Sequence, residues 1–375
     1  SLNELTGVDL YFKCENFQKT GSFKFRGATN AIMQLSREEM QHGVGTHSSG
    51  NHAAALALAA RLQGTEAHIV MPRDSSPIKK RAVEHYDAHI TWCEPGLDNR
   101  EQAFREIEKI TGARFVHPSG DFNVICGQGT AAKELLEEVP ELDAIIAPVG
   151  GGGLASGMAV AGRAMKKDLR IYAAEPQKAD DAYRSFKQGF LIPVDRPNTI
   201  ADGIATGSIS ELTLRLIEKH VDTVVTVTDG EIATAILLLL ERAKQLVEGA
   251  GAAPVAALLS DDLDVTGETV VPLLCGGNID PARLQEVLDH AMTDRLQLLR
   301  LRVRIDDQPG KMADLSQRIA EQGVNIREVR HERAVDGLDV GEAYLVFEVI
   351  TSGRGQAQNA VGAIEDGGYE VERVN

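Results

Sequence analysis

The chain of 375 residues carries 55 acidic and 39 basic residues, so its formal net charge at pH 7 is −16 and its pI is near 5.1. The acidic residues are spread along the chain, and such a surface repels nucleic acid and anionic lipid, so we expect a small-molecule partner, no nucleic acid and no membrane. Four cysteines at unrelated spacings, without a CxxC pair, argue against a disulfide framework or a zinc site. With no signal peptide and no apolar run of membrane-spanning length in the sequence, we expect a cytoplasmic protein.

Helix and strand patterns alternate along the chain, which predicts an α/β fold with a mainly parallel sheet. A strand is predicted at 8–13, and a glycine-bearing turn then leads to a helix from Lys24 to about Leu35. The short elements of residues 36–113 predict a small α/β subdomain inserted into a larger one, which comprises residues 1–35 and 114–293. Within the larger subdomain, the apolar residues around 236–240 predict one helix over 230–248.

The pattern changes after Thr293. Residues 298–305 alternate with period two, and the elements that follow have the order βαββαβ, which is typical of a ferredoxin-like domain. Residues 294–375 are therefore predicted to form a separate domain, whose size suits a regulatory attachment.

The octapeptide GSFKFRGA places Lys24 between two phenylalanines. Apolar neighbours disfavour the charged form of a lysine, and a neutral lysine is a nucleophile for carbonyl chemistry. A helix start with Ser22 as N-cap and Lys24 in solvent is the alternative interpretation of these residues alone.

Four consecutive glycines, 150–153, follow a predicted buried strand and precede a predicted helix. Their N–H groups and the helix dipole favour phosphate binding. A dinucleotide-binding interpretation competes, because Gly150, Gly152 and Ala155 satisfy G-x-G-x-x-A, and Glu175 stands where a ribose-binding acid is expected.

Two further loops have features of a binding site. The run Ser48–His52 offers N–H donors, hydroxyls and an amide at a helix start, and it suits a carboxylate or simple N-capping. Cys275 ends a predicted buried strand, at the position where open α/β sheets bind ligands.

Seven sequence blocks in a fixed order resemble the fold-type II pyridoxal-phosphate enzymes, specifically the threonine dehydratase (threonine ammonia-lyase) and serine racemase family. They lie between about Leu10 and Ala291 and read KCENFQKTGSFKFRGA, THSSGNHA, GQGT, PVGGGG, AAEP with ADDAY, TIADG and CGGNID. The resemblance implies a tryptophan-synthase-β-like fold of two open α/β subdomains. From about Leu296 the tail, with DQPG after its first strand and GVNI after its first helix, resembles an ACT domain, an amino-acid-sensing module.

The resemblance implies a pyridoxal 5′-phosphate site. Lys24 is expected to hold the cofactor covalently and to act as the catalytic base, with Phe23 flanking the pyridine ring. Asn51 would bind the ring hydroxyl, and Cys275 would face the pyridine nitrogen. The phosphate would be cradled by Gly150, Gly151, Gly152 and Gly153.

The resemblance also implies a substrate site. The substrate carboxylate is expected at Ser48, Ser49, Gly50, Asn51 and His52, with help from Arg100. Ser49 matches the catalytic acid and base that racemases use on the opposite face. The run His117–Asp121 corresponds to the region that contacts the substrate side chain.

Two more sites follow from the same resemblance. Glu175, the carbonyl of Ala179 and Asp181 match a divalent-cation site, whose oxygen ligands suit Mg²⁺, Mn²⁺ or Ca²⁺. In the ACT-like tail an amino-acid effector is expected at Asp307, Gln308, Pro309, Gly310 and Asn325.

The activity implied is a threonine or serine ammonia-lyase of amino-acid metabolism, such as isoleucine biosynthesis, regulated through the ACT domain in a homodimer or homotetramer. Serine racemase and hydroxyaspartate ammonia-lyase are the alternatives on the same scaffold. A non-catalytic amino-acid sensor and a nicotinamide-dependent dehydrogenase are the alternatives of other classes. Family members carry a further segment ahead of the position of Ser1, so we expect residues to be missing there.

Overall fold

A computed structural model describes residues 1–48, 50–75 and 77–374, with the backbone alone at 77–79. It divides into two compact units, Ser1–Pro281 and Ala282–Asn375. The helices of the first unit are α1 Leu2–Thr6, α2 Lys24–Met33, α3 Arg37–His42, α4 Asn51–Gln63, α5 Pro77–Glu84, α6 Leu97–Thr111, α7 Phe122–Glu138, α8 Gly153–Met165, α9 Asp181–Gln188, α10 Glu211–His220, α11 Asp229–Leu238 and α12 Gly249–Leu259. Its strands are β1 Asp9–Leu10, β2 Lys13–Cys14, β3 Val44–Thr46, β4 Ala67–Pro72, β5 His89–Cys93, β6 Arg114–Phe115, β7 Ala144–Pro148, β8 Arg170–Pro176, β9 Thr223–Val227 and β10 Thr269–Leu274.

The larger sheet of the first unit is parallel, with the strand order β1-β10-β7-β8-β9, and β2 pairs with the end of β10. Its central strands are almost wholly buried, as expected of parallel strands covered by helices on both faces. The strand predicted at 8–13 is two short strands, because residues 11–12 leave the ladder between β1 and β2.

The smaller sheet is also parallel, with the order β5-β4-β3-β6. Helix α4 packs beside it, and its Ala-rich sequence lets nine of its residues be buried at close range. The predicted α/β fold with two open parallel sheets is therefore confirmed. Strand β6 follows the boundary predicted at residue 113 and pairs with β3 of the smaller sheet.

The second unit begins within helix α13 Pro281–Asp294. It also contains helices α14 Lys311–Glu321 and α15 Arg354–Glu365 and strands β11 Leu298–Asp306, β12 Asn325–Glu332, β13 Glu342–Ile350 and β14 Glu370–Arg373. Its sheet is antiparallel with the order β12-β13-β11-β14. Apolar side chains on one face of β11 and β13 form a core with α14 and α15. The predicted ferredoxin-like βαββαβ order is confirmed.

The helix predicted over 230–248 is wrong in its second half. Helix α11 ends at Leu238, a π-helical segment covers Leu239–Ala243, and Lys244 adopts a left-handed conformation with φ 58°. Helix α12, which follows at Gly249, was not predicted, because a helix that is buried on every side has no amphipathic period.

In the part of the chain that the structure describes, no helix has the length and apolar character needed to cross a membrane.

Candidate active site

Lys24 is brought to the carboxyl end of β10. The N–H of Phe23 donates to the carbonyl of Cys275 at 3.0 Å, and Ser22 forms an isolated antiparallel bridge with Gly276. Gly21, at φ 72°, permits this approach, since a Cβ there would lie 2.4 Å from the side chain of Asn278. These contacts start helix α2 at Lys24. They also place the Lys24 side chain beside Cys275, which is 251 positions away in the chain.

The Lys24 amine is held in an apolar environment. Its Nζ donates to the carbonyl of Pro118 at 2.8 Å and lies 5.0 Å from the centre of the Phe23 ring. Burial lowers the pKa of Lys24 from 10.5 to about 8, against the opposing effects of Cys275 and Glu248. The amine is therefore far more often neutral at pH 7 than that of an ordinary lysine.

Cys275 is buried, and burial together with the carboxylate of Glu248 raises the pKa of its thiol well above 9. The thiol is thus neutral over the physiological pH range. A neutral thiol is a weak hydrogen-bonding group and carries no charge to offer a ligand.

The four glycines form the turn between β7 and α8. A Cβ at each would clash with a neighbour: with Ile204 for Gly150, with Ser119 for Gly151 and Gly153, and with Thr213 for Gly152, at 2.2–2.9 Å. Gly152 also has φ 82°, which disfavours a side chain. No side chain caps α8 in the described structure, so its N-terminal dipole faces this glycine turn.

The loop that follows β6 lies between Lys24 and the glycine turn. Pro118 accepts from Lys24, and Ser119 packs against Gly151 and Gly153. His117 anchors the loop, because its Nδ1 accepts from the N–H groups of Ser119 at 3.1 Å and Gly120 at 2.7 Å. An Nδ1 with two donors carries no proton, so the proton of the neutral ring is on Nε2.

The pKa of His117 agrees with that tautomer. Burial lowers it to about 4, and the positive charge of Lys24 acts in the same direction. His117 is therefore a neutral hydrogen-bond donor throughout the physiological pH range.

The run predicted to bind a carboxylate, residues 48–52, follows β3, and its last residue, His52, contacts the loop that follows β6. Gly50 donates to Ser48 Oγ at 3.4 Å and precedes helix α4, which has no side-chain cap among the described residues. His52 is buried, and its Nε2 bonds the carbonyl of Val116 at 3.0 Å. Burial and Lys24 lower its pKa to about 3, so it is neutral. Ser49 lies outside the described residues.

Arg100 lies on α6 and acts on the site through its charge. Its Nε donates to the carbonyl of Gly96 at 3.3 Å, and within the described residues it forms no ion pair. Burial of the His47 ring lowers its pKa, and the positive charge of Arg100 acts in the same direction. The His47 ring stacks on Phe115 at 4.9 Å and meets His117 edge-on at 6.5 Å.

Asn51 is fixed at both ends of its amide. Its Nδ2 donates to Glu248 Oε1 at 2.8 Å, and its Oδ1 accepts from Asn278 Nδ2 at 2.9 Å. Sequence reasoning missed Glu248, which no local motif marks, and it also missed the roles of Pro118 and Asn278. These residues are recognisable only once the chain is folded.

Glu175 and Asp181 lie together at the carboxyl end of β8. Glu175 accepts from the N–H groups of Ala182 at 3.0 Å and Tyr183 at 2.7 Å, and Asp181 Oδ2 accepts from Ile209 at 2.7 Å. Burial raises the pKa of both carboxyls, that of Asp181 to about 7. Asp181 Oδ1 is buried without a hydrogen-bond partner among the described residues. A buried polar oxygen normally has a partner, and a bound cation would provide one. No group of three or more acidic, histidine or cysteine side chains within the described ranges forms a metal cluster.

An ion-pair network supports the first turns of α2 from behind. The Arg26 guanidinium bonds both oxygens of Glu15 at 2.7 and 2.8 Å and both oxygens of Glu134 at 2.7 and 2.6 Å. Because Arg26 follows Lys24 by two residues, this fork fixes the backbone that carries the candidate lysine.

In the second unit, four of the expected effector residues, 307–310, lie at the start of α14, whereas Asn325 lies at the opposite end of the sheet, where β12 begins and pairs with Ile350. Asp307 is already bound by Arg333 at 2.5 and 3.1 Å and lies 3.3 Å from His331. Gly310, at φ 95°, begins the helix, and Asn325 begins β12 on the surface. Gln308 and Pro309 are exposed in the intervening turn.

Comparison with known proteins gives one consistent family. The family model described as pyridoxal-phosphate dependent enzyme matches residues 1–276. A beta-hydroxyaspartate dehydratase of Paracoccus denitrificans is 46% identical over 76% of this chain and 90% of its own length, and an L-threonine ammonia-lyase of Thermotoga maritima is 38% identical over 100% of this chain and 93% of its own. The structure of maize serine racemase superimposes with a TM-score of 0.74 at 42% identity, over 79% of this chain and 90% of that one.

Proposed function

We propose that this chain, which belongs to the family of pyridoxal-phosphate-dependent enzymes, removes water from L-threonine or L-serine to give a 2-oxo acid and ammonia. The cofactor and the ammonia-lyase class follow from the family match and the similarity to L-threonine ammonia-lyases along the full chain. Lys24 is proposed as the cofactor-binding lysine because of the environment of its amine, which has a pKa of about 8 and lies beside both Cys275 and the loop of Pro118.

The residues present fit pyridoxal phosphate. The glycine turn at the N-terminus of α8 is too closely packed for side chains and offers N–H groups to a phosphate. Lys24 would hold the aldehyde carbon covalently, with Phe23 beside the ring. Asn51 has one amide hydrogen left for the ring hydroxyl, and the neutral Cys275 thiol would leave the pyridine nitrogen without a proton.

When bound, the cofactor withdraws electrons from the α-carbon of the amino acid and makes its α-hydrogen acidic. Lys24 Nζ, which is released when the substrate amine replaces it on the aldehyde carbon, would then take that proton, and its lowered pKa makes the base form needed for this step more accessible than in an ordinary lysine. The run Ser48–His52 would bind the substrate carboxylate, and the neutral His52 at its end is bonded to the carbonyl of Val116, the residue that follows β6. Loss of the β-hydroxyl as water leaves an unsaturated amine, which hydrolyses to the 2-oxo acid and ammonia.

A second candidate substrate is 3-hydroxyaspartate, which one specific feature favours. Arg100 forms no ion pair within the described residues, and its positive charge lowers the pKa of His47, whose ring meets that of His117, so this region offers a cation and a neutral donor to a second carboxylate. The relative named beta-hydroxyaspartate dehydratase supports this candidate.

The substrate assay measures 2-oxo acid from L-threonine, L-serine and 3-hydroxyaspartate in parallel. We expect Arg100→Met to lower kcat/KM for 3-hydroxyaspartate at least tenfold more than for L-serine if the dicarboxylate is the preferred substrate, with Arg105→Met as the control on the same helix. An equal loss of kcat/KM for 3-hydroxyaspartate and L-serine would leave L-threonine or L-serine as the proposed substrate. The absence of 2-oxo acid from all three would contradict the lyase proposal.

Racemisation is measured in the same reactions as D-serine formed from L-serine. Ser49→Ala is expected to abolish D-serine while elimination survives, since Lys24 takes the α-proton on one face and Ser49 would be needed only to return a proton on the other. A wild-type protein that forms more D-serine than pyruvate would favour the racemase.

The remaining sites are proposed on the same basis. Glu175, the Ala179 carbonyl and Asp181 would hold Mg²⁺, Mn²⁺ or Ca²⁺, because a cation would stabilise the ionised forms of two adjacent carboxyls that burial disfavours, and Asp181 Oδ1 has no hydrogen-bond partner among the described residues. The second unit would act as the ACT regulatory domain. There an amino-acid effector at Asp307, Gln308, Pro309 and Gly310 would have to compete with Arg333 for the Asp307 carboxylate, and Asn325, at the opposite end of the sheet, would not reach it within one chain.

A further inference from the structure

Glu248 is a buried acid at the start of helix α12 whose side chain does not cap that helix. It is the N-cap residue of α12, and a carboxylate there ordinarily accepts from the backbone N–H groups of the first turn. In α12 the side chain forms no capping bond; its Oε1 instead accepts from Asn51 Nδ2, 197 residues away. The residue is 4% exposed, so this bond is made out of contact with bulk water.

The bond determines which way the Asn51 amide faces. Glu248 accepts from the nitrogen of that amide, and Asn278 donates to its oxygen while also donating to the carbonyl of Thr20 at 2.7 Å. An acceptor on one side and a donor on the other exclude the flipped amide. The second hydrogen of Asn51 Nδ2 is consequently available as a donor to a ligand.

Glu248 also lies against the residues that follow Cys275. Its N–H donates to the carbonyl of Gly276 at 3.0 Å, and a Cβ at Gly276 would lie 2.5 Å from Glu248 Oε1. The carboxylate is thus packed beside the candidate cofactor ring position defined by Cys275 and Lys24. Substitution of Gly276 by any other residue would push it away.

Burial lowers the pKa of Lys24, and two groups oppose it, first Cys275 and then Glu248. The titratable groups around the lysine are His52 on α4, His117 after β6 and Cys275 after β10. Both histidines are neutral because their pKa values are near 3 and 4, and the buried thiol is neutral because its pKa is raised. The carboxylate that favours the protonated form of Lys24 is Glu248.

We propose that Glu248 is a positioning residue for the cofactor: it orients the Asn51 amide as a donor to the ring hydroxyl and supplies the negative charge that retains a proton on the nitrogen joining Lys24 to the cofactor. This inference rests on the proposed function, since it requires that Lys24 and Asn51 hold pyridoxal phosphate. It assigns the two effects to separable properties of one side chain, its hydrogen bond and its charge.

Two substitutions separate these properties. Glu248→Gln keeps an acceptor for Asn51 but removes the charge, whereas Glu248→Ala removes both. The loaded protein is titrated from pH 6 to 10 while its visible absorbance band is recorded, and the dissociation constant of pyridoxal phosphate is measured by equilibrium dialysis. Glu138→Gln, an exposed acid on α7, is the control for loss of one negative charge.

We expect the midpoint of the spectral titration to fall by about one pH unit in Glu248→Gln, a tenfold loss of proton affinity. Glu248→Asp should restore the midpoint because it restores the charge. In Glu248→Ala the dissociation constant of the cofactor should rise at least tenfold, and this rise should vanish in an Asn51→Ala background, where no amide remains to be oriented.

An unchanged midpoint in Glu248→Gln, or a cofactor affinity that falls equally with and without Asn51, would overturn the inference. Thermal unfolding of each variant tests for a purely structural role. If the melting temperature falls while the midpoint of the spectral titration and the affinity for pyridoxal phosphate stay at wild-type values, the inference is also overturned. A wild-type protein without a Lys24-dependent absorbance band would instead refute the proposed function.

Discussion

The lowered pKa of Lys24 predicts how fast the protein captures its cofactor at each pH. Only a neutral amine attacks an aldehyde, so the rate follows the unprotonated fraction of the lysine. With a pKa of about 8, that fraction is ~9% at pH 7, against ~0.03% for an amine with the ordinary value of 10.5, an advantage of roughly 300-fold. Because the pKa is lowered, the rate should rise about tenfold per pH unit below pH 8 and level off above pH 9.

The assay uses protein freed of cofactor in amine-free buffer. Pyridoxal phosphate is added in excess between pH 7 and 10, and the growth of the visible band is followed by stopped flow. Nα-acetyl-lysine under the same conditions is the control with an ordinary amine, and Lys24→Ala should give no band. A capture rate that continues to rise tenfold per unit from pH 8 to 10 would refute the assignment of a desolvated amine to Lys24.

Three further predictions concern the surroundings of the site. Gly151→Ala places a Cβ 2.2 Å from Ser119 Oγ, so the turn must open and the affinity for pyridoxal phosphate should fall at least tenfold, measured by dialysis. Arg26→Met leaves Glu15 buried without its guanidinium and should lower the free energy of unfolding by about 3–5 kcal/mol, measured by urea denaturation. Millimolar Mg²⁺ or Ca²⁺ should raise the melting temperature, and Asp181→Asn should abolish that rise because it removes a ligand charge.

Two of these predictions have a matched control variant, and Asp181→Asn itself serves as the control for the cation prediction. Gly362→Ala adds a methyl group where no atom lies within 4 Å and should leave cofactor affinity unchanged. Arg105→Met removes an exposed pair with Glu101 and should change stability by less than about 1 kcal/mol. Wild-type affinity in Gly151→Ala, equal stability of the two arginine variants, or a cation effect that persists in Asp181→Asn would each contradict the corresponding reasoning.

Sequence periodicity predicted most elements, because the elements that hold the site have patterns strong enough to survive without tertiary context. The buried strands before Gly150 and Cys275 and the Ala-rich α4 are of this kind. Helix α1 was missed although Ser1 and Glu4 form a capping box, a signal that the sequence does contain. Helix α12 offered no comparable signal, since Gly, Ala and Pro dominate a segment buried all round.

Motifs led to the residues that a ligand would touch, but not to the residues that hold them in place. Lys24, Asn51 and the four glycines stand in recognisable blocks, whereas Glu248 was interpreted as the end of a helix. Its role depends on where α11 breaks and on a hydrogen bond to a residue 197 positions away, neither of which a local pattern encodes. The same holds for the tautomer of His117, which two backbone N–H groups of its own loop determine.

The central claim is that Lys24 holds the cofactor, and borohydride reduction of the loaded protein tests it most directly. Reduction makes the link between lysine and cofactor permanent, so proteolysis followed by mass spectrometry locates it. We predict the pyridoxyl mass on the peptide that contains Lys24, together with loss of both that peptide and 2-oxo acid formation in Lys24→Ala. A pyridoxyl group found on another lysine of the active wild-type protein, or turnover that survives in Lys24→Ala, would contradict the claim.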